Sequence, residues 1–279
     1  MKIGVVGLGL IGASLAGDLR RRGHYLMGVS RQQSTCEKAV ERQLVDEAGQ
    51  DLSLLQTAEI IFLCTPIQLI LPTLERLIPH LAPTAIVTDV ASVKMAIAAP
   101  ASKLWPGFIG GHPMAGTAAQ GIDGAEENLF INAPYVLTPT EYTDPDQLAC
   151  LRSVLEPLGV KIYLCTPADH DQAVAWISHL PVMISAALIQ ACAGEKDANI
   201  LNLAQNLASS GFRDTSRVGG GNPELGTMMA TYNQRALLKS LQDYRQQLDN
   251  LISLINDQQW SELHRLLQQT NGDRTNYIQ

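Results

Sequence analysis

Short apolar runs alternate with amphipathic stretches through roughly the first 165 positions of the chain. The runs that read as strands are Lys2–Val6, Tyr25–Val29, Ile60–Leu63, Ala85–Thr88, Phe108–Gly110, Tyr135–Leu137 and Lys161–Leu164. Helical patterns lie between several of them. The clearest is Leu10–Arg22, which stops at Gly23, a residue suited to a helix C-cap. Fully apolar strands alternating with helices predict a mostly parallel, doubly wound α/β sheet covered on both faces.

The texture changes near Thr166. Beyond it Asp169–Ala193, Asp197–Ser209, Pro223–Asn256 and Gln258–Gln268 all read as helices. Asn222 followed by Pro223 is a capping side chain and then proline at the first helical position. The stretch "GFRDTSRVGGGN", Gly211–Asn222, reads as a glycine-rich loop between two helices. The pattern therefore predicts a Rossmann-type domain over 1–166 and an all-helical domain over 167–279. Ala173–Ala193 is apolar on nearly every face, as expected of a central helix surrounded by others. Ser178, His179, Pro181 and Gln190 within it argue against a membrane span. A homodimer built on the helical domain would bury more of this surface.

Composition narrows the function classes. With 46% hydrophobic and 17% charged residues, the 279-residue chain can build a packed core. A net charge of −7 argues against nucleic acid as the main partner, while leaving room for a local anion site. The five cysteines, at 36, 64, 150, 165 and 192, show no C-x-x-C spacing. That predicts neither a disulfide framework nor a metal site, and it fits a reducing cytoplasm.

The first strand runs into Gly7-Leu8-Gly9-Leu10-Ile11-Gly12 and then a helix. In this context the glycines have separate jobs: a tight turn, backbone approach to a pyrophosphate, and close helix–strand packing. The free N–H groups and positive dipole end of the helix face the anion. An NAD site usually ends its second strand with an acid for the ribose 2′-hydroxyl. Here Ser30 and Arg31 stand in that place and the nearest acid, Glu37, falls in the next helix, which predicts NADP. Thr65 and Pro66, after the Ile60–Leu63 strand, reach the same sheet edge. Thr65 either offers its hydroxyl to the cofactor or caps the following helix, and the residues leave both open.

Three further segments are candidates for chemistry: "TDVASVK" at Thr88–Lys94, "GGHPMAG" from Gly110, and "HLP" with "FRDTSR" in the helical region. In the second, glycines and a proline frame His112 just past a strand. With "GLGLIG", "DVASVK", "GGHPMAGT", "SHLP" and "GFRDTSRV" in this order, nearly the whole chain resembles the arogenate/prephenate dehydrogenases of tyrosine biosynthesis. The resemblance implies oxidative decarboxylation of a cyclohexadienol to an aromatic product, with a nicotinamide cofactor taking the hydride. It implies that His112 is the base for the ring hydroxyl, a role suited to a group titrating near neutrality. Ser92 would hold that hydroxyl and orient His112, and Arg217 would grip a substrate carboxylate in its planar fork. Arg213, Asp214, His179 and Thr117 complete the expected substrate contacts. No metal is called for, because loss of carbon dioxide aromatises the ring.

Structural roles compete at each position. Ser92 also suits the N-cap of a helix over Ser92–Ala99, His179 a hydrogen-bonded core histidine, and Arg217 a salt bridge to Asp214. Lys94 reads as a solvated surface charge. NADP use and the compact chain favour arogenate, by resemblance, over prephenate, whose tail is a keto acid. Ala118 stands where some relatives carry an acid. A hydroxyacid or imine reductase with the same two-domain plan, or a non-catalytic NADP sensor, would not need His112, Ser92 and Arg217 together.

Overall fold

The computed structural model describes residues 1–117 and 119–277, so position 118 lies outside the described residues. The chain forms two compact units, Met1–Val174 with Asn222–Asn233, and Ala175–Gly221 with Gln234–Gln279.

In the first unit, β1 (Lys2–Val6), α1 (Leu10–Arg21), β2 (Tyr25–Val29), α2 (Gln33–Glu41), β3 (Glu47–Gly49), β4 (Ile60–Leu63) and α3 (Ile67–Leu77) follow one another. Next come β5 (Ile86–Asp89), α4 (Ala98–Leu104), β6 (Phe108–Pro113), β7 (Pro134–Thr138), α5 (Pro145–Leu155), β8 (Lys161–Leu164) and α6 (Pro167–Val174). The eight strands make one sheet in the order β3-β2-β1-β4-β5-β6-β7-β8. All neighbours are parallel except β6 and β7. Apolar side chains pack in two clusters, one around Ile3, Val5, Leu15 and Phe62 and the other around Ile61, Leu63, Leu74 and Phe108. Neighbouring β4 residues Ile61 and Phe62 fall in different clusters, as expected of strands buried on both faces. The chain order reverses between β1 and β4, the crevice where open α/β sheets bind ligands.

Two local expectations change here. β6 continues through His112 to Pro113, so the histidine sits within a strand rather than past one. The extension exists because β5 pairs only Phe108 and Ile109, whereas antiparallel β7 pairs Gly110 to Pro113. No helix starts at Ser92; α4 begins at Ala98. The N–H groups of Ala91, Lys94 and Met95 are committed to the carboxylates of Asp89 and Asp171, which holds this stretch out of a regular helix. β3 is absent from the sequence reading: three residues, Glu-Ala-Gly, carry too little apolar pattern to show.

The helices of the second unit are α7 (Leu180–Ala193), α8 (Ala198–Leu207) and α9 (Ser210–Ser216), while α10 (Pro223–Tyr232) belongs to the first unit. Then follow α11 (Gln234–Asn256) and α12 (Trp260–Arg274), again in the second. The first half of the expected loop at Gly211–Asn222 is α9, and the run Gly219–Gly221 lies past its end. The single helix expected over Pro223–Asn256 is broken at Asn233, whose φ of −121° ends α10. Between α6 and α7 the helix widens into a π-turn at Ala175–His179. Pro181 explains it, since it has no N–H to return to the carbonyl of Ile177. Of α7 itself only Leu180 and Ser185 are buried. Most of its apolar surface is thus left uncovered by this chain.

Candidate active site

The glycine loop is built by close contacts that no side chain would survive. Gly7 has φ +98°, and a Cβ there would stand 2.6 Å from the carbonyl oxygen of Cys64. A Cβ on Gly12 would stand 2.0 Å from the Gly7 oxygen, which is the tight helix–strand packing expected of the third glycine. Gly9 differs: a Cβ there would meet nothing within 4 Å. It is the N-cap of α1, so the unpaired N–H groups of Leu10, Ile11 and Gly12 open onto the same side. Leu8 turns inward, 2% exposed, and fits because β2 carries Gly28 opposite it.

Two backbone hydrogen bonds gather the other cofactor candidates around this loop. Gly7 N–H donates to Val29 O at 2.8 Å and Cys64 N–H to Val6 O at 2.7 Å, so Ser30 and Thr65 both adjoin the loop. Arg31 is exposed, and its carbonyl accepts from Gln50 Nε2 at 2.6 Å. Glu37, the nearest acid in sequence, accepts from Gln33 at 3.1 Å. The N-cap of α3 is Pro66 and no side chain caps it, so Thr65 does not play the capping role. The Thr65 hydroxyl is buried without a hydrogen-bond partner. An orphaned hydroxyl and an open glycine at the sheet's switch point fit a dinucleotide. Burial, with a smaller push from Asp89, raises the Cys64 thiol well above its ordinary value, so no thiolate competes with an anion there.

His112 is 9% exposed and stands at a three-way junction of β6, the segment after β5, and α6. Its Nδ1 is 2.8 Å from His170 Nε2, with the rings 69° apart in plane. His170 Nδ1 is 2.8 Å from Asp171 Oδ1. Asp171 in turn accepts from Lys94 N–H at 2.7 Å and Met95 N–H at 2.9 Å. Its backbone carbonyl accepts from Asn233 Nδ2 at 2.7 Å, which ties the end of α10 into the junction.

Lys94 is the largest departure from the sequence reading. It is 0% exposed, not a solvated charge. Its ammonium is paired with Asp89 and donates to the Gly111 carbonyl at 2.6 Å, while Gly111 N–H donates to Asp89 Oδ1 at 3.1 Å. Burial pulls Lys94 below the ordinary lysine value, and the carboxylates of Asp89 and Asp171 oppose that pull. The pair thus clamps the peptide unit just before His112. Gly110 and Gly111 let neighbouring elements approach closely: a Cβ on Gly110 would meet Thr138 Oγ1 at 2.4 Å and Lys94 Cδ at 3.3 Å, and one on Gly111 would meet the Asp89 carbonyl oxygen at 2.6 Å. Ser92 lies half-buried in the same segment, between Asp89 and Lys94.

The remaining candidates are placed as follows. Thr117 is exposed, its hydroxyl accepting from Ala119 N–H at 3.3 Å. In the second unit His179 is buried at the end of the π-turn. Arg213 and Asp214 lie on α9 and face each other at 3.5 Å, both about three-quarters exposed, so the acid's ion pair is with Arg213. Arg217 is exposed at the C-cap of α9. Gly219 N–H donates to Ser185 Oγ at 2.8 Å, which seats the Arg217 turn against α7.

His170 and Asp171 lie outside the sequence reading. Motif placement looked at the carboxyl ends of parallel strands, but β7 reverses direction and β8 follows it, so α6 does not leave from that edge. The available signal was an adjacent His-Asp pair on a helix beside the His112 sheet, in the run "ADHDQA".

Over the full length of both chains, the protein is 91% identical to Synechocystis arogenate dehydrogenase, with a TM-score of 0.95 to its crystal structure. It is 26% identical to a prephenate dehydrogenase from A. aeolicus solved with hydroxyphenyl propionate and NAD+, covering 99% of this chain and 97% of that one at a TM-score of 0.92. A prephenate dehydrogenase of Bacillus subtilis (strain 168) is 28% identical over 94% of this chain and 72% of its own length. Residues 15–164 match the family model of the prephenate dehydrogenase nucleotide-binding domain, and residues 166–269 match that of its dimerization domain. The uncovered apolar face of α7 falls within that second match, which gives it a second copy of the chain to pack against. With both domain types in order over nearly its whole length, the chain belongs to the prephenate dehydrogenase family of oxidoreductases.

Proposed function

We infer that the protein is an NADP-dependent arogenate dehydrogenase that converts L-arogenate to L-tyrosine and carbon dioxide. The observation that carries the choice of substrate is the 91% identity to Synechocystis arogenate dehydrogenase over the full length of both chains. The A. aeolicus relative with bound NAD+ supports a nicotinamide cofactor, and Ser30 with Arg31 beside the glycine loop supports its 2′-phosphorylated form.

The cofactor, when bound, supplies the hydride acceptor. The N–H groups at Leu10–Gly12 hold its pyrophosphate over the open face of Gly9, Ser30 and Arg31 take the 2′-phosphate, and Thr65 with Pro66 borders the ribose. His112 removes the proton of the ring hydroxyl as the carbon bearing it loses hydride, leaving a ring carbonyl. The carboxylate on the opposite ring carbon then departs as carbon dioxide, and its bonding electrons aromatise the ring. His112 returns the proton to the phenolate oxygen, so the base is regenerated within one turnover. A positioned base of this kind contributes about 10²–10⁴-fold. Ser92 holds the hydroxyl, and Arg217 binds a substrate carboxylate through paired N–H groups. His179, Arg213, Asp214 and Thr117 complete the substrate contacts. The cofactor functions belong to residues 1–166 and the helical functions to 167–279, in a cytoplasmic enzyme whose five cysteines are free.

The test offers the purified protein NADP with arogenate and then with prephenate, following reduced cofactor by absorbance. The family model's own name keeps prephenate as the second reading. Faster turnover of arogenate supports the assignment, preference for prephenate replaces it, and activity with neither overturns both. His112→Asn is expected to lose about 10²–10⁴-fold in kcat with cofactor affinity intact; near-normal turnover would remove His112 from its role.

A further inference from the structure

Behind His112 stand two more buried groups, His170 and Asp171, with 2% and 3% of their surface exposed. With both rings neutral, their hydrogen-bond inventory has one consistent solution. The Asp171 carboxylate faces three donors: Lys94 N–H at 2.7 Å, Met95 N–H at 2.9 Å and His170 Nδ1 at 2.8 Å. Both backbone groups are donors by necessity, and an acceptor-only carboxylate suits all three. His170 therefore carries its proton on Nδ1, and the Nε2 of its neutral ring carries a lone pair. That lone pair faces His112 Nδ1 at 2.8 Å, so His112 must carry its own proton on Nδ1.

We propose that His170 and Asp171 are positioning residues that hold His112 in the Nδ1–H tautomer and make Nε2 its basic nitrogen. The proposal deepens the assignment of His112 as base and rests on it. Each group in the line has a single orientation to choose, and the choice begins at two backbone N–H groups that cannot reverse. When Nε2 takes the substrate proton, the Nδ1–H of the resulting imidazolium already points at an acceptor. No solvent or side-chain reorganisation is then needed as charge develops, the condition for electrostatic stabilisation in a dry site. The same line explains why the sequence spends Asp171 on the Lys94–Met95 backbone: those two N–H groups both fix the carboxylate and hold the Ser92 segment against α6.

The test reads the tautomer directly. Protein labelled with ¹⁵N-histidine gives long-range ¹H–¹⁵N correlations for its six rings, and His112 is identified by its loss in His112→Asn. His112 and His170 are both expected to show a protonated Nδ1 and a bare Nε2. His170→Leu is expected to let His112 move its proton towards Nε2. In that variant kcat falls about 10²–10⁴-fold, the scale seen when a wrong tautomer disables a catalytic histidine, while KM and cofactor affinity stay within about threefold. His170→Gln, whose side-chain oxygen can occupy the Nε2 position and accept from Nδ1–H, is expected to restore the tautomer and most of kcat. An Nε2-protonated His112 in the unaltered protein overturns the proposal, as does a His170→Leu protein with unchanged tautomer and kcat. Should His170→Leu fail to fold, the unaltered spectrum and His170→Gln still decide. The tautomer reading needs no substrate, so failure of the arogenate assignment is seen separately, as a folded protein with the expected spectrum and no turnover.

Discussion

At the end of β1 the second glycine, Gly9, borders open space, whereas in β6 Gly110 and Gly111 are pressed against the protein's own atoms at 2.4 and 2.6 Å from where a Cβ would stand. Both segments read alike in the sequence, as glycines clustered at a strand end beside a residue of interest. One cluster leaves open space at a helix N-terminus and the other makes room for the Thr138 hydroxyl and the Asp89 carbonyl. Glycine content signals a close approach, and only the neighbours say whether the approaching group comes from outside.

The strongest way to break this contrast is to remove the buried cation bound to the Gly111 carbonyl. Lys94→Met leaves the Asp89 carboxylate buried without its cation and the Gly111 carbonyl without its donor. Removing one partner of a buried pair costs about 3–5 kcal/mol. Denaturant unfolding should show that loss, and turnover should fall with it, because the clamp next to His112 is gone. A stability change under about 1 kcal/mol would mean that the pair only fills space.

Alanine at the two kinds of glycine should separate them cleanly. Gly111→Ala forces a methyl onto the Asp89 carbonyl oxygen, a backbone atom that cannot swing aside, and is expected to cost about 1–3 kcal/mol. Gly9→Ala meets no atom, and its φ of −83° suits any residue. It should leave stability within about 1 kcal/mol, or raise it slightly by restricting the unfolded chain. The same methyl would occupy the approach to the pyrophosphate, so the cofactor dissociation constant should rise at least about tenfold, near 1.4 kcal/mol. Equal effects of both substitutions on stability and on cofactor binding would erase the distinction.

The two regions also differ in how far they were legible in the sequence. The β1 loop is a local device: strand, turn and helix follow one another between Lys2 and Arg21, and the close neighbours of its glycines lie nearby in the chain or on the adjacent strand. The spacing alone therefore fits the tight turn at Gly7 and the close helix–strand packing at Gly12. The His112 junction is assembled from β6, the Asp89–Met95 segment, α6 and Asn233, so its hydrogen-bonded partners are up to 77 positions apart. A lysine five residues after an aspartate carries no sign of burial, and Lys94 is read as solvated for that reason. The helical half shows the same limit: the sequence reports an apolar α7, but whether its own domain or a second copy covers it depends on packing that no local pattern encodes.

The smallest expected effect tests the ligand side of the contrast at its edge. Arg31 is exposed and follows β2 directly, beside a loop whose Gly7 N–H binds the Val29 carbonyl. A charge-assisted hydrogen bond contributes about 1.5–3 kcal/mol, and exposure to solvent places this one at the lower end. Arg31→Ala should thus reduce the proposed preference for NADP over NAD by about tenfold, chiefly through KM for NADP, with stability unchanged. Salt should erode the unaltered preference in the same direction, since the interaction is between an exposed cation and a phosphate. If the ratio of kcat/KM for the two cofactors is unmoved by the substitution, Arg31 is a solvated charge. The absence of an acid at the end of β2 would then carry the cofactor preference alone, through the repulsion it avoids rather than an attraction it makes.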